Sequence, residues 1–357
     1  MNANIYIGII ELAAALGALI IIHEFGHFIV SRLFKIEVEE FGIGFPPRML
    51  TLFRAAGTKF TLNWIPLGGF VRPKGENDPE VPGGLAAASP WIRLAVLLAG
   101  PLSNLLVGVI IYAVIFRQMG MPISNQVEIL EVAQNSPAQQ AGLRAGDLVV
   151  QVNDQKIDSV QSMQNVIFDN LGKQTTIVYQ RDGKNGEVSL VPRQKPPEGE
   201  GAIGIVMSNP TQSISLLAAI PIGAKAVYEH SITILTLPVK MLEGQTSPSD
   251  GRFLGFKGMF DVYQAVRQSE PTPSVPQDVN ILGFFAAITI SLGILNLLPV
   301  PALDGGRIFF LLPEIILRRR IPPEYENVIN LIGFAILLVL LLYINLQDFV
   351  NPIQFPK

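Results

Sequence analysis

His23-Glu24-Phe25-Gly26-His27 sets two histidines four residues apart with a carboxylate beside the first. On a helix that spacing puts both imidazoles on one face, where they can hold a single metal ion. Glu24, about a third of a turn away, is placed to take a proton from a metal-bound water. The chemistry of such a set is metal-assisted hydrolysis. The motif closes Leu12–Val30, a run whose other residues are nearly all apolar. Ionisable groups at bilayer depth are costly and mark functional sites. That weighs against reading the pair as ordinary helix histidines with Glu24 reaching out to water.

Two imidazoles leave zinc short of a third protein ligand. The one other histidine, His230, sits in an Ala/Val/Ile-rich stretch between charged neighbours and reads as a surface or interface residue. More informative is Asn296-Leu297-Leu298-Pro299-Val300-Pro301-Ala302-Leu303-Asp304-Gly305-Gly306. Asp304 ends a charge-free apolar segment, and two prolines just before it force an irregular backbone. Such backbone is tolerated at membrane depth only where protein buries it or water reaches it, so a polar cavity is expected there.

These residues need a membrane scaffold to position them. The chain has 357 residues, 49% hydrophobic and 15% charged, against the roughly 25% charged of soluble domains. It has no cysteine, which excludes thiolate catalysis and cysteine metal sites. A net charge of −3 without a long basic run argues against nucleic-acid partners. The N-terminus lacks the positive region of a cleaved signal peptide, so its apolar segment is expected to stay. Four segments can span: Ile7–Phe28, Leu94–Phe116, Val279–Leu303 and Asn327–Gln347. Glu11 falls in the first, near its outer end, and reads as interfacial. The loop after the first span carries Arg32, Lys35, Arg48, Arg54, Lys59, Arg72, Lys74 and Arg93, and the loop after the third carries Arg307 and Arg318-Arg319-Arg320. By the positive-inside rule both loops are cytoplasmic, and both termini and region 120–278 lie outside. His23 then sits roughly 24 Å down the first span, and Asp304 arrives at the same depth from the third. Ile214–Leu242 would upset this as a fifth span, but Lys225, Glu229 and His230 interrupt it, so it reads as an interfacial amphipathic helix.

Between the first two spans, 37–72 reads as β-structure. Val38–Phe45 contains Gly42-Ile43-Gly44 and is expected to break at Pro46-Pro47; Lys59–Leu67 is rich in β-formers. The segment is either an ordinary cytoplasmic hairpin or an edge to which an extended substrate adds as a strand, and its apolar character beside the histidine helix favours the second. The second span contains Ala99-Gly100-Pro101-Leu102-Ser103-Asn104, in which Asn104 either satisfies an interhelical hydrogen bond at a kink or acts at the site directly. Residues 127–195 form an outer module: short strands Val127–Val132, Leu148–Val152, Thr175–Tyr179 and Glu187–Val191, with a helix at Gln161–Asp169. Its exposed edge could take up a peptide end.

HEFGH, the GxG hairpin, AGPxxN and NxxPxPxLDGG together resemble the site-2 protease family of intramembrane zinc metalloproteases, and NSPAxxAGLxxGDxVxxVN resembles the PDZ domain of its bacterial regulated-intramembrane-proteolysis members. The match covers nearly the whole chain. The resemblance implies a polytopic α-helical membrane protein with a membrane-associated β-hairpin and an inserted extracytoplasmic PDZ domain in a bacterial cytoplasmic membrane. Boundaries are expected at 1–119, 120–200 for the PDZ, 201–278 for the linker with its amphipathic helix, and 279–357. It further implies Zn2+ on His23, His27 and Asp304, Glu24 as catalytic base, and substrate contacts at Asn296, at Gly42, Ile43 and Gly44, and at Asn104. The implied partners are single-span membrane proteins, already shortened by another protease, the lipid bilayer, and peptide ends at the PDZ. A single PDZ where well-known bacterial members carry two, Ser291 where several carry a second asparagine, and Gly255-Phe256-Lys257-Gly258 in place of a small-Gly-Pro pattern depart from the family. None touches the ligand set. A catalytically silent PDZ scaffold would not need the complete set, and a metal transporter would place ligands along several spans.

Overall fold

The computed structural model describes residues 3–123, 125–245, 252–269 and 276–353. The linker expected across 201–278 falls partly outside them, at 246–251 and 270–275. The chain divides into two compact units, one of 1–113, 220–269 and 280–357, the other of 114–219 and 270–279.

The first unit begins with α1 (Ala3–Leu33), β1 (Val38–Ala55), β2 (Thr58–Pro73) and α2 (Pro90–Met119). Within the second, β3 (Met121–Pro122), β4 (Val127–Val132), α3 (Pro137–Ala141), β5 (Leu148–Val152), β6 (Gln155–Lys156) and α4 (Val160–Asp169) come first. Strands β7 (Thr175–Arg181), β8 (Lys184–Leu190), β9 (Ile205–Ser208) and β10 (Thr211–Gln212) complete it. The remaining helices are α5 (Leu216–Leu242), α6 (Phe256–Gln268), α7 (Gln277–Leu297), α8 (Asp304–Leu317) and α9 (Pro323–Val350). Among the described residues four helices are long and apolar enough to cross a membrane: α1, α2, α7 and α9.

Lipid is as apolar as leucine, so these helices pack by close approach rather than by escape from water. Small residues make that approach possible. A Cβ on Gly108 of α2 would meet Ile290 Cγ1 of α7 at 2.8 Å, and one on Gly223 of α5 would meet Val109 O of α2 at 2.6 Å. Val227 and Ile234 of α5 join Leu105 and Val109 of α2 and Ile290 and Ile294 of α7 in one cluster. The helix expected at the interface therefore also has a face packed on the spanning helices. His230, on α5, shares a 3.1 Å hydrogen bond with the Tyr112 hydroxyl.

The third expected span is shorter than its apolar run. Helix α7 stops at Leu297, and a turn of six residues separates it from α8. Pro299 and Pro301 cannot continue the helix. Ala302 takes a left-handed φ of +75°, and its N–H donates to Asn330 Oδ1 of α9 at 3.0 Å.

β1 does not end at Pro46-Pro47, as expected, but crosses there from one side of β2 to the other. Residues 48–55 run back along 58–63, Arg48 opposite Asn63 and Ala55 opposite Thr58. Residues 40–43 lie on the far side of that run, Glu40 opposite Lys59 and Ile43 opposite Leu62. The end of β2 then closes the sheet, Ile43 opposite Gly69 and Glu40 opposite Arg72. Buried Glu40 ties three of these runs, accepting from Arg48 Nη2 (2.9 Å), Thr61 Oγ1 (2.9 Å) and Arg72 Nη1 (3.4 Å).

Helix α6 is fastened at both ends. Asp348 of α9, buried, accepts from the Gly255 and Gly258 N–H groups (2.8 and 2.9 Å) and from Arg252 Nη2 (2.9 Å). Toward the other end Tyr263 donates to Glu11 Oε2 of α1 (2.9 Å), and Arg267 pairs with the same oxygen. Glu11 is thus held by protein partners. Asp348→Ala strands three donors, a loss worth about 3 kcal/mol. Trypsin cleavage after Arg252 or Lys257 in the folded protein should accelerate about 100-fold; an unchanged rate would assign the tether elsewhere.

The second unit has its own core, with Val127, Ile129, Val152, Met163 and Ile177 at its centre. Its sheet runs β8-β7-β5-β4-β9, with β6 paired to β5, while β3 pairs with β10 where the chain enters and leaves. Asp147 is fully buried and accepts from Arg181 Nε (2.6 Å) and from the Arg144 N–H (2.8 Å). The module extends beyond the boundary expected at 200, because β9 pairs with β4. The Pro- and Gly-containing segment at 196–204 is the loop that leads into this edge strand.

Candidate active site

α1 and α2 cross where both have glycine. A Cβ on Gly26 would collide with Ala99 O and Ser103 Oγ of α2. One on Gly100 would stand 2.7 Å from His23 Nε2 and 2.7 Å from His27 Cε1, and closer still to His27 Nε2. The space beside the two imidazoles exists because residue 100 has no side chain.

Hydrogen bonding fixes how the rings face. His27 Nδ1 donates to Val96 O at 2.7 Å, since a carbonyl only accepts, and this leaves Nε2 as a lone pair. Asn104 lies 3.2 Å from His23 Nδ1 through its amide nitrogen, while its buried Oδ1 has no partner among the described residues. A half-turn of the amide gives that oxygen the Nδ1–H of His23 and leaves the second Nε2 as a lone pair too. Thr289 of α7 donates to Asn104 O at 3.1 Å and so fixes the α2 backbone at that point. Asn104 is fully buried behind His23. It does not line the cavity, and its side chain meets His23 rather than open space.

Asp304 is the first residue of α8, where the helix N-terminus favours a carboxylate. Gly305 and Gly306 let that turn fold back on 297–300: a Cβ at 305 would collide with Leu297 O and Leu298 O, and one at 306 would lie 2.8 Å from the Val300 carbonyl carbon. Asp304 Oδ2 then stands 3.1 Å from His23 Nε2 and 3.4 Å from His27 Nε2, and the two nitrogens are 3.2 Å apart. Ligand bonds of about 2.0–2.1 Å in a tetrahedron require edges of about 3.3 Å. The three donors fit one face of a zinc tetrahedron, leaving the fourth corner for water. Among the described residues this is the one group of three or more His, Asp or Glu side chains able to hold a metal, and His230 is not in it.

The triad opens on a cavity of about 470 Å³. Glu24 lies in its wall, its Cγ 3.2 Å from where a Cβ of Gly69 would be. Asn296 faces the same space and donates to Leu292 O at 3.0 Å. The sheet contributes residues 68–73. Gly42, Ile43 and Gly44 are not in the wall: they sit between two runs of β2, and a Cβ on Gly42 would meet Phe70 Cζ at 2.7 Å and Asn63 Nδ2 at 2.8 Å. They serve the packing of the sheet, and the strand edge next to the triad is 69–73. Glu76 and Arg307, paired with each other, complete the wall on that side. The sequence reading gave neither of them, nor Gly100, a role; Arg307 counted only as a loop charge.

Comparison with known proteins agrees with this construction. The family model for Peptidase family M50 matches residues 11–340. A Clostridium acetobutylicum protein provisionally named a zinc metalloprotease is 29% identical over 99% of each chain. The regulator of sigma-W protease RasP of Bacillus subtilis is 26% identical, over 93% of this chain and 96% of its own. Among solved structures, the PDZ domain of an SdrC-like protein of Listeria innocua matches 25% of this chain and 98% of its own length, at 30% identity and a TM-score of 0.21. A family match running from the first spanning helix to the last takes in His23, Glu24, His27 and Asp304 alike, and the chain belongs to peptidase family M50, as an integral-membrane zinc metalloprotease.

Proposed function

We propose that His23, His27 and Asp304 are the zinc ligands, that Glu24 is the catalytic base, and that the substrate is a peptide bond in or at the edge of a transmembrane segment of a single-span membrane protein, shortened beforehand by another protease. The observation that carries this is the triangle of donors with sides of 3.1, 3.2 and 3.4 Å, with Glu24 on the cavity wall beside it.

Bound there, zinc supplies a Lewis acid for the scissile carbonyl and lowers the pKa of a coordinated water. Glu24 takes one proton from the attacking water onto its carboxylate and delivers it to the amide nitrogen as the C–N bond breaks, so the base is regenerated each turnover. Asn296, which lines the cavity, hydrogen-bonds the substrate backbone in this reading. A helical carbonyl is hydrogen-bonded and sterically covered, so the substrate must unwind, and pairing with the edge at 69–73 stabilises the extended form.

Loop charges favour an orientation with Arg32, Lys35 and Arg318–Arg320 cytoplasmic and both termini outside, in a bacterial cytoplasmic membrane. In that arrangement the module at 114–219 is an extracytoplasmic PDZ domain, with β9 as the edge that receives peptide ends and screens substrates.

The test is cleavage of a single-span substrate by detergent-purified protein, with zinc measured on the same sample. Cleavage that stops on chelation, with one zinc per chain, is expected. Neither zinc nor cleavage in folded protein would return the chain to a silent scaffold.

A further inference from the structure

The wall formed by Glu76 and Arg307 joins two parts of the site that are far apart in sequence. Arg307 stands three residues after Asp304 in α8, less than one helical turn. Its Nη1 pairs with Glu76 Oε1, three residues beyond the end of β2 at Pro73. The loop carrying Glu76 is itself closed, since Leu85 N donates to Lys74 O (2.9 Å) and Ala86 N to Gly75 O (3.0 Å). Two further ties lie nearby: Arg320 Nη1, just beyond α8, donates to Ala86 O of the loop (2.7 Å), and Arg93 Nη1 of α2 to Glu314 Oε2 of α8 (2.7 Å). Those two lie away from the cavity. The Glu76–Arg307 pair alone lines it, with the two side chains about one-quarter and one-third exposed.

A substrate strand paired with 69–73 is located along its axis only by that edge, whereas the donor triad is located by Asp304. The position of one against the other decides which peptide bond meets the metal. We propose that Glu76 and Arg307 are positioning residues that fix the depth of the 69–73 edge against Asp304 and so select the scissile bond. This rests on the reading of the triad and the edge given above. A strand that slips by one residue turns every side chain to the other face, whereas a slip of two preserves the faces and moves the strand about 6.6 Å. A loosened edge should therefore add cuts two residues from the main one.

The experiment maps product ends by mass spectrometry for the full chain acting on a single-span substrate in detergent micelles. Wild type, Glu76→Gln, Arg307→Lys and the exchanged pair Glu76→Arg/Arg307→Glu are compared, with zinc measured on each and Glu24→Gln as blank. Expected are one dominant bond for wild type and, for Glu76→Gln, about a tenfold larger share of cuts two residues away at unchanged zinc. The exchanged pair restores the single bond. Slower cleavage by Glu76→Gln at the one original bond overturns the inference and leaves the pair a merely structural tie. If Glu76→Gln loses all turnover, Arg307→Lys decides, since it keeps the charge but not the forked geometry: unmoved product ends overturn the inference. Wild type that does not cleave at all overturns the active-site reading instead.

Discussion

Glu24→Gln should retain zinc and lose about three orders of magnitude or more in turnover. The amide has nearly the shape of the carboxylate, so the cavity wall at Gly69 is undisturbed. None of the three proposed ligands changes, because Glu24 is not part of the triangle of His23, His27 and Asp304. What is lost is a base able to take the proton of the attacking water, a contribution of roughly 10²–10⁴. Electrostatic stabilisation by the metal site remains, so a trace of activity is compatible with the role. Metal content measured beside the cleavage rate separates this from damage to the site: zinc near one per chain with activity gone fits a base. Undiminished activity would remove Glu24 from the mechanism, and zinc lost with activity would make it a ligand.

That separation is possible because the parts of the site differ in how openly the sequence declares them. His23, Glu24 and His27 are visible because four residues of helix bring them together, and helical periodicity is local. Asp304 lies 281 residues from His23, yet it too could be anticipated: a carboxylate closing a charge-free span, at a depth set by counting helical rise, has few alternatives. What stayed hidden depends on contacts with no local period. Gly42-Ile43-Gly44 suggested an open edge, but whether a run is an edge or an interior strand depends on where the rest of the sheet folds. Here β1 crosses β2 at Pro46-Pro47 and is covered on both sides. Asn104 could be placed on its helix but not given a direction until His23 was found 3.2 Å from its amide. The Glu76–Arg307 pair joins a loop to α8 across 231 residues, a separation at which no local spacing links the two charges.

Gly100→Ala should abolish zinc binding and activity together while leaving the helix intact. In a helix interior alanine is favoured over glycine by about 0.8–1.0 kcal/mol, so intrinsic propensity alone makes the change stabilising. The Cβ, however, would arrive 2.7 Å from His23 Nε2 and nearer to His27 Nε2, the two atoms proposed to bind zinc. Relief by separating the helices is blocked, because the crossing is equally tight at Gly26 against Ala99 and Ser103. Relief by turning His27 would break its bond to Val96 O, and turning His23 would break its contact with Asn104. The rings must leave their positions, and two of the three proposed ligands leave with them. Loss of ligand geometry on that scale should weaken zinc by far more than the ten- to hundredfold typical of disturbing a residue that merely supports a ligand. Gly283→Ala is the control, since a Cβ there meets nothing within 4 Å, and it should change neither zinc nor cleavage. Zinc retained by folded Gly100→Ala would mean that α1 and α2 can part far enough to admit a methyl group. The close crossing would then no longer account for how the histidines are aimed.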